Sequence, residues 1–345
     1  MKVRPHKLGS VVHRVPLPRE VEFSRQIDAR VGTVLVVKAL EEKRVYDVME
    51  LTTGRMAHIS KGDVIVGALG RRGALRGFVG RVPEKVKAGD TLHVLNLGCV
   101  LGEATSENKD VGHPLKVEVL GMVTMQDKPV NIADWSIPDP DPRTPIPPVI
   151  AVSGTCMNAG KTLAACELIT SLTDRGYVCA GVKLTGVAAM KDTLNMSDHG
   201  AVAVMNFVDC GLPSTVGVDN VAPIAKKILR SIEKQAKQEL DVVVAEMGDG
   251  IIGAYGVDSI LGDEEFRGMI KAHVLCANDL VAAWGGVRWM KERGLKLDVI
   301  AGPATDNSVG TAYIENELGL GAGNARTDPS RFVDLVEEAA FPGAT

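Results

Sequence analysis

Nine consecutive residues, Gly154-Thr155-Cys156-Met157-Asn158-Ala159-Gly160-Lys161-Thr162, have the types and spacing to bind a phosphate chain. Small residues let backbone N–H groups turn toward an anion, Lys161 supplies a cation that reaches terminal phosphates, and the Thr162 hydroxyl can hold Mg²⁺. Val149-Ile150-Ala151-Val152 just before them is an apolar run suited to a buried strand, and residues 163–172 read as a helix. Strand, bend and helix start, in that order, leave unpaired N–H groups facing the bend, where the helix dipole favours negative charge. A Gly-Lys-Thr tripeptide placed in a loop by chance would not explain both flanks.

These residues need an element order that brings partners to the same edge. After the helix, 177–183 reads as a strand, 221–238 as a helix with Val221, Ile224, Ile228, Leu229 and Ile232 on one face, and 241–246 as a buried strand. A strand at 273–277, a helix at 280–293, a strand at 297–301 and a helix near 311–318 follow. A last helix over 329–340 has Asp328 as N-cap and Pro329 at its first position. Such alternation predicts an α/β fold with a doubly wound, mainly parallel sheet, in which ligands bind at the carboxyl ends of the strands. At that edge the second strand ends in Lys183-Leu184-Thr185-Gly186 and the third in Glu246-Met247-Gly248-Asp249-Gly250. A late strand ends in Gly302-Pro303-Ala304-Thr305-Asp306-Asn307.

The pattern Gly-Thr, four residues, then Gly-Lys-Thr resembles the dethiobiotin synthetase family and its SIMIBI-class P-loop relatives, over about residues 149–310. The resemblance implies an ATP- and Mg²⁺-dependent ligase or small-molecule kinase acting on a carboxylate-bearing substrate. Gly154, Thr155, Asn158, Ala159, Gly160, Lys161, Thr162 and Leu163 would hold the nucleotide. Asn307, in the loop after a late strand, would contact the base. Thr162 and Glu246 would hold Mg²⁺; Asp249 is an alternative ligand, because Met247 and Asp249 depart from the family's small-residue pattern. Lys161 and Lys183 would neutralise the transferring phosphoryl group, although the family has extra residues between its lysine and Thr-Gly, so Lys183 also reads as an ordinary strand-end lysine. Asp192 or Asp198 in the polar stretch 187–200 would position magnesium or a nucleophile, with His199 as an acid or base; a solvated loop with Asp198 as a helix cap is the competing reading. Ala277-Asn278-Asp279 lacks the full Asn-Lys-x-Asp pattern of many GTPases, which favours ATP over GTP. A nucleotide-dependent switch or sensor acting on a protein partner is the alternative function, and because related enzymes build sites across dimers, a homodimer is one assembly the resemblance allows, though the sequence does not fix the oligomeric state.

The first part of the chain has no counterpart in that family. Residues 31–40 alternate and are rich in Val, with 44–51 as their expected pairing partner. Lys61-Gly62-Asp63 and Ala88-Gly89-Asp90 each introduce an apolar strand. This predicts a compact β-barrel or sandwich over 1–133, entered by an extended lead-in at 1–30. Residues 134–148 contain six prolines and read as a semi-rigid linker to a nucleotide-binding domain over 149–345. Residues 70–77, with Arg71, Arg72 and Arg76, are a basic glycine-rich loop: either an anion site or an exposed hairpin tip.

Composition sets the outer bounds. The 345 residues are 45% hydrophobic and 24% charged, as expected of a globular protein long enough for two domains. Aromatic content of 4% argues against a base-stacking nucleic-acid surface. Residues 1–148 hold 22 Lys+Arg against 18 Asp+Glu, and 149–345 hold 17 against 25, so the two halves have opposite charge. Six cysteines without CxxC or His-paired spacing suit a reducing cytosol. No apolar segment resembles a signal or a membrane span, so a cytoplasmic protein with a small-molecule substrate is expected.

Overall fold

The computed structural model describes residues 1–343. The chain forms two compact units. Unit 1 comprises 1–138 together with the short segments 187–191 and 207–217; unit 2 comprises 139–186, 192–206 and 218–345.

Unit 1 is built on a closed barrel. Leu115–Met125 pairs antiparallel with Val34–Ala39, which pairs with Val64–Leu69. That strand runs parallel to Val100–Glu107, which meets Thr91–Val94, and Thr91–Val94 returns to Leu115–Met125. Closure leaves these strands without open edges. Leu35, Val37, Ile65, Leu92, Leu101 and Val117 fill the interior; fully burying such a side chain is worth about 1.5–3 kcal/mol. Both Gly-Asp turns form as expected. Gly62 and Gly89 have φ of +89° and +96°, which favours a residue without Cβ, and Asp63 and Asp90 accept the N–H of Ser60 and Lys87.

Three expectations for this unit need correction. The lead-in is not merely extended: Lys2–Val3, Lys7–Leu8 and Val21–Ser24 are strands of the same sheet, with the prolines between them. Residues 44–51 do not pair with 31–40, because both edges of Val34–Ala39 are taken; Val48–Glu50 instead pairs with Met56–His58. The basic loop does not present Arg72 to solvent. Its buried guanidinium donates to the Leu95 carbonyl and lies 5.6 Å from the Tyr46 and Phe78 rings.

The segments 187–191 and 207–217 are straps of unit 1. They pair with each other at Val187 and Ser214, and the Ala188 N–H donates to the Pro213 carbonyl (2.9 Å). Asn96 donates to the Ala188 carbonyl, and the Met190 N–H donates to buried Glu50 (2.6 Å).

Unit 2 is a seven-stranded sheet among the described residues, all of whose strands are parallel. In spatial order they are Val204–Asn206, Cys179–Thr185, Val242–Met247, Val149–Gly154, Ile270–Cys276, Val299–Ala301 and Gly321–Ala322. Alternate residues face opposite sides. Ile150, Val152, Val244 and Val274 pack with Leu168, Leu172 and Phe332 from helices Lys161–Asp174 and Pro329–Ala340. Ile300 and Ala322 pack with Ala283 of helix Leu280–Glu292 and with Ile314. No helix among the described residues is long and apolar enough to cross a membrane.

Candidate nucleotide site

The candidate phosphate loop joins the central strand Val149–Gly154 to helix Lys161–Asp174. Its path depends on left-handed backbone at Asn158 (φ +63°) and Gly160 (φ +94°), conformations that asparagine and glycine adopt most readily. Ala159 is wholly buried, which anchors the bend, while Leu163 in the helix's first turn is 47% exposed. Lys161 folds back across the bend and donates to the Cys156 carbonyl (2.8 Å). It runs over Gly154, where a Cβ would stand 3.1 Å from Nζ. Gly154 therefore clears the path of the lysine. A phosphate entering the bend would compete with one carbonyl for this ammonium.

Neighbouring loops brace the bend at glycines. The Ile251 N–H donates to the Gly154 carbonyl (2.8 Å), and the Thr155 N–H donates to the Cys276 carbonyl (2.9 Å). A Cβ at Gly250 would stand 2.7 Å from the Thr155 carbonyl oxygen, and one at Gly302 only 2.3 Å from that of Ala159. Gly250 and Gly302 are thus part of the site through backbone proximity. Asn278 also reaches the bend, donating to Cys156 Sγ (2.9 Å). The sequence reading missed these as supports; the signal available to it was a glycine directly after a strand.

Four charged or polar groups converge beside the loop. Thr162 Oγ1 donates to Glu246 Oε1 (3.0 Å). Glu246, the penultimate residue of its strand, is only 1% exposed, and its Oε2 has no hydrogen-bond partner among the described residues. Lys183, near the end of the adjacent strand, is ion-paired to Asp192, and its Nζ lies 3.6 Å from Glu246 Oε1. Asp192 sits in the first turn of helix Lys191–Asp198, where the helix dipole favours a carboxylate. The stretch expected to be a loop over 187–200 thus holds this helix. Thr185 donates from its hydroxyl to the Gly248 carbonyl, tying the ends of two strands together.

The donors suit a hard cation. A hydroxyl and a buried carboxylate with an unsatisfied oxygen are Mg²⁺-type ligands, and Mg²⁺ commonly takes its remaining positions from phosphates and water. Among the described residues no group of three or more His, Cys, Asp or Glu forms a metal cage, so the protein offers only part of a coordination shell, which phosphate oxygens and water would complete. Asp249 is half-buried two residues beyond the strand.

Other candidates make local contacts. Asn307 caps helix Ser308–Tyr313, its side-chain oxygen accepting the N–H groups of Val309 (3.0 Å) and Gly310 (3.4 Å). From that loop it is Gly302 and Pro303 that approach Gly160. Asp279 likewise caps helix Leu280–Glu292. Asp198 ends its helix rather than starting one, and exposed His199 is bonded through Nδ1 to the Asn195 carbonyl. A buried pair bridges the central strand and its neighbour Ile270–Cys276: Ser153 Oγ is 2.8 Å from His273 Nε2, and His273 Nδ1 meets the Lys296 carbonyl. Burial lowers His273 to about 4, so it is neutral near pH 7. With its Nδ1–H donated to that carbonyl, Nε2 accepts from the serine hydroxyl. Burial also pushes the Cys99, Cys166 and Cys276 thiols up to about 12, as befits small core side chains.

No family model and no curated protein matches the chain. Among solved structures it is similar to the signal recognition particle receptor FtsY from Elizabethkingia anophelis, with TM-score 0.39 and 14% identity, covering 61% of this chain and 75% of that one. It is also similar to chloroplast FtsY from Physcomitrella patens, with TM-score 0.36 and 14% identity over 61% and 71% of the two chains. With TM-scores this low, the likenesses carry no argument about activity, so the residues of the site must carry it.

Proposed function

We propose that this chain binds a Mg²⁺–nucleoside triphosphate in the bend before Lys161, hydrolyses it, and acts as a nucleotide-dependent switch. The observation carrying this reading is the Thr162–Glu246 hydrogen bond beside a phosphate loop, with a second ammonium, Lys183, at the same strand edge. Loop amides and Lys161 would bind and orient the phosphates. Thr162 and Glu246 would hold Mg²⁺, which when bound neutralises charge on the phosphate oxygens. The switch part is supported by the path of the chain. It leaves unit 2 after Gly186 and returns at Asp192. Thr185 and Asp192, on either side of that strap, are themselves held within the site.

A second reading, a dethiobiotin-synthetase-like ligase or kinase for a small carboxylate, is favoured by Lys183, which could neutralise an acceptor's carboxylate next to the transferred phosphoryl group. The test is calorimetric titration with ATP and GTP, each with and without Mg²⁺, followed by turnover assays. Mg²⁺-dependent triphosphate binding, lost in Lys161→Ala, and hydrolysis without an added acceptor support the switch. Turnover only with a carboxylate acceptor supports the ligase or kinase. If neither nucleotide binds, both readings fail.

A further inference from the structure

Lys183 lies where a cation is needed before any nucleotide arrives. Its ammonium is paired with Asp192 and sits 3.6 Å from Glu246 Oε1, the same oxygen that accepts the Thr162 hydroxyl at 3.0 Å. All three charged side chains are at most one-fifth exposed. Two carboxylates so withdrawn from water are costly unless a cation faces them. One lysine compensates one of their two charges, and Glu246 Oε2 stays buried without a hydrogen-bond partner among the described residues. A divalent ion at the same place would balance both carboxylates, and the two cations cannot share the position without strong repulsion.

We propose that Lys183 is a tethered counter-ion that keeps divalent metal out of the Thr162–Asp192–Glu246 cluster until a nucleotide supplies an alternative anion for its ammonium. The inference rests on the nucleotide reading of this site and adds an order of events to it. Phosphate oxygens draw the Lys183 ammonium from the carboxylates, and the vacated oxygens take the metal carried with the nucleotide. Free Mg²⁺ is therefore a poor ligand of the empty protein, and metal occupancy reports nucleotide occupancy. The flexible four-carbon stem of lysine suits this exchange, whereas the planar fork of arginine would bind the carboxylates more firmly.

The test uses Mn²⁺ as a paramagnetic probe, with free and bound ion separated by electron paramagnetic resonance in the absence of nucleotide. The unsubstituted chain should bind Mn²⁺ weakly at this cluster. Lys183→Met, which keeps an unbranched stem one atom shorter and removes the charge, should bind one Mn²⁺ at least tenfold more tightly. Adding Glu246→Gln to Lys183→Met should abolish the gain, and Lys183→Arg should exclude Mn²⁺ as the parent does. Equal Mn²⁺ affinity in the parent and in Lys183→Met overturns the proposal. If Lys183→Met does not fold, the parent decides alone: Mn²⁺ binding should tighten at least tenfold when a nonhydrolysable triphosphate analogue is added, and unchanged affinity overturns the proposal. Nucleotide binding by the parent, measured in parallel by calorimetry, separates the two failures. If nucleotide binds and Mn²⁺ affinity does not respond, only the counter-ion role falls; if no nucleotide binds, the functional reading falls first.

Discussion

At Lys161 a single ammonium links the strand end to the bend, donating to the Cys156 carbonyl over Gly154. Replacing it with alanine removes a charge-assisted contact to phosphate. Nucleotide affinity or turnover is expected to fall about a hundredfold, while the melting temperature measured by circular dichroism changes little. Glu246→Gln keeps an oxygen to accept the Thr162 hydroxyl but loses the charge that holds a cation. The expected result is nucleotide binding that no longer strengthens with Mg²⁺, read by paired titrations. His273 gives a prediction in pH. Its folded-state value of about 4 lies below the ordinary 6.5, so the unfolded chain binds the proton first as pH falls. Stability from this group is complete above about 6.5, declines from there, and is lost by about pH 4, a change of about 3 kcal/mol. Urea unfolding from pH 7 to 4 should show that slope, and His273→Phe should show less of it.

At the scale of elements, the site depends on how closely neighbouring loops approach the bend. Gly250→Ala would place a Cβ 2.7 Å from the Thr155 carbonyl oxygen, and overpacking of this kind costs about 1–3 kcal/mol. The variant should show a lower melting temperature and a nucleotide Kd raised about tenfold, because the displaced bend carries the amides proposed to bind phosphate. Unchanged affinity would mean that the bend tolerates the shift. Periodicity placed helices Lys161–Asp174, Ala222–Ala236, Leu280–Glu292 and Pro329–Ala340 and the central strands of unit 2 within a few residues, but not the short helices Val257–Gly262 and Glu264–Met269. It did not find helix Lys191–Asp198, whose mean composition is polar; its formation is supported by tertiary contacts such as the burial of Thr193 and Met196.

At the scale of the molecule, unit 1 is discontinuous in sequence. Fragment 1–138 lacks the straps that bring in the buried residues Ala188, Phe207 and Val208, and without them Glu50 loses the Met190 N–H. The isolated fragment is expected to melt without a sharp transition in calorimetry, whereas a cooperative melt would show that the barrel does not require the straps. By itself, the sequence determined the strand–bend–helix path around Lys161, the strand–helix alternation after residue 149, the β-rich character before it and the two Gly-Asp turns, since each depends on periodicity or on backbone conformation within a few residues. Only the tertiary structure decided that Lys183 faces both Asp192 and Glu246, that Gly250 and Gly302 brace the bend, and that 187–191 and 207–217 belong to unit 1. Those pairings join residues far apart in the chain, and their geometry is set by strand order and close packing, which local spacing does not encode.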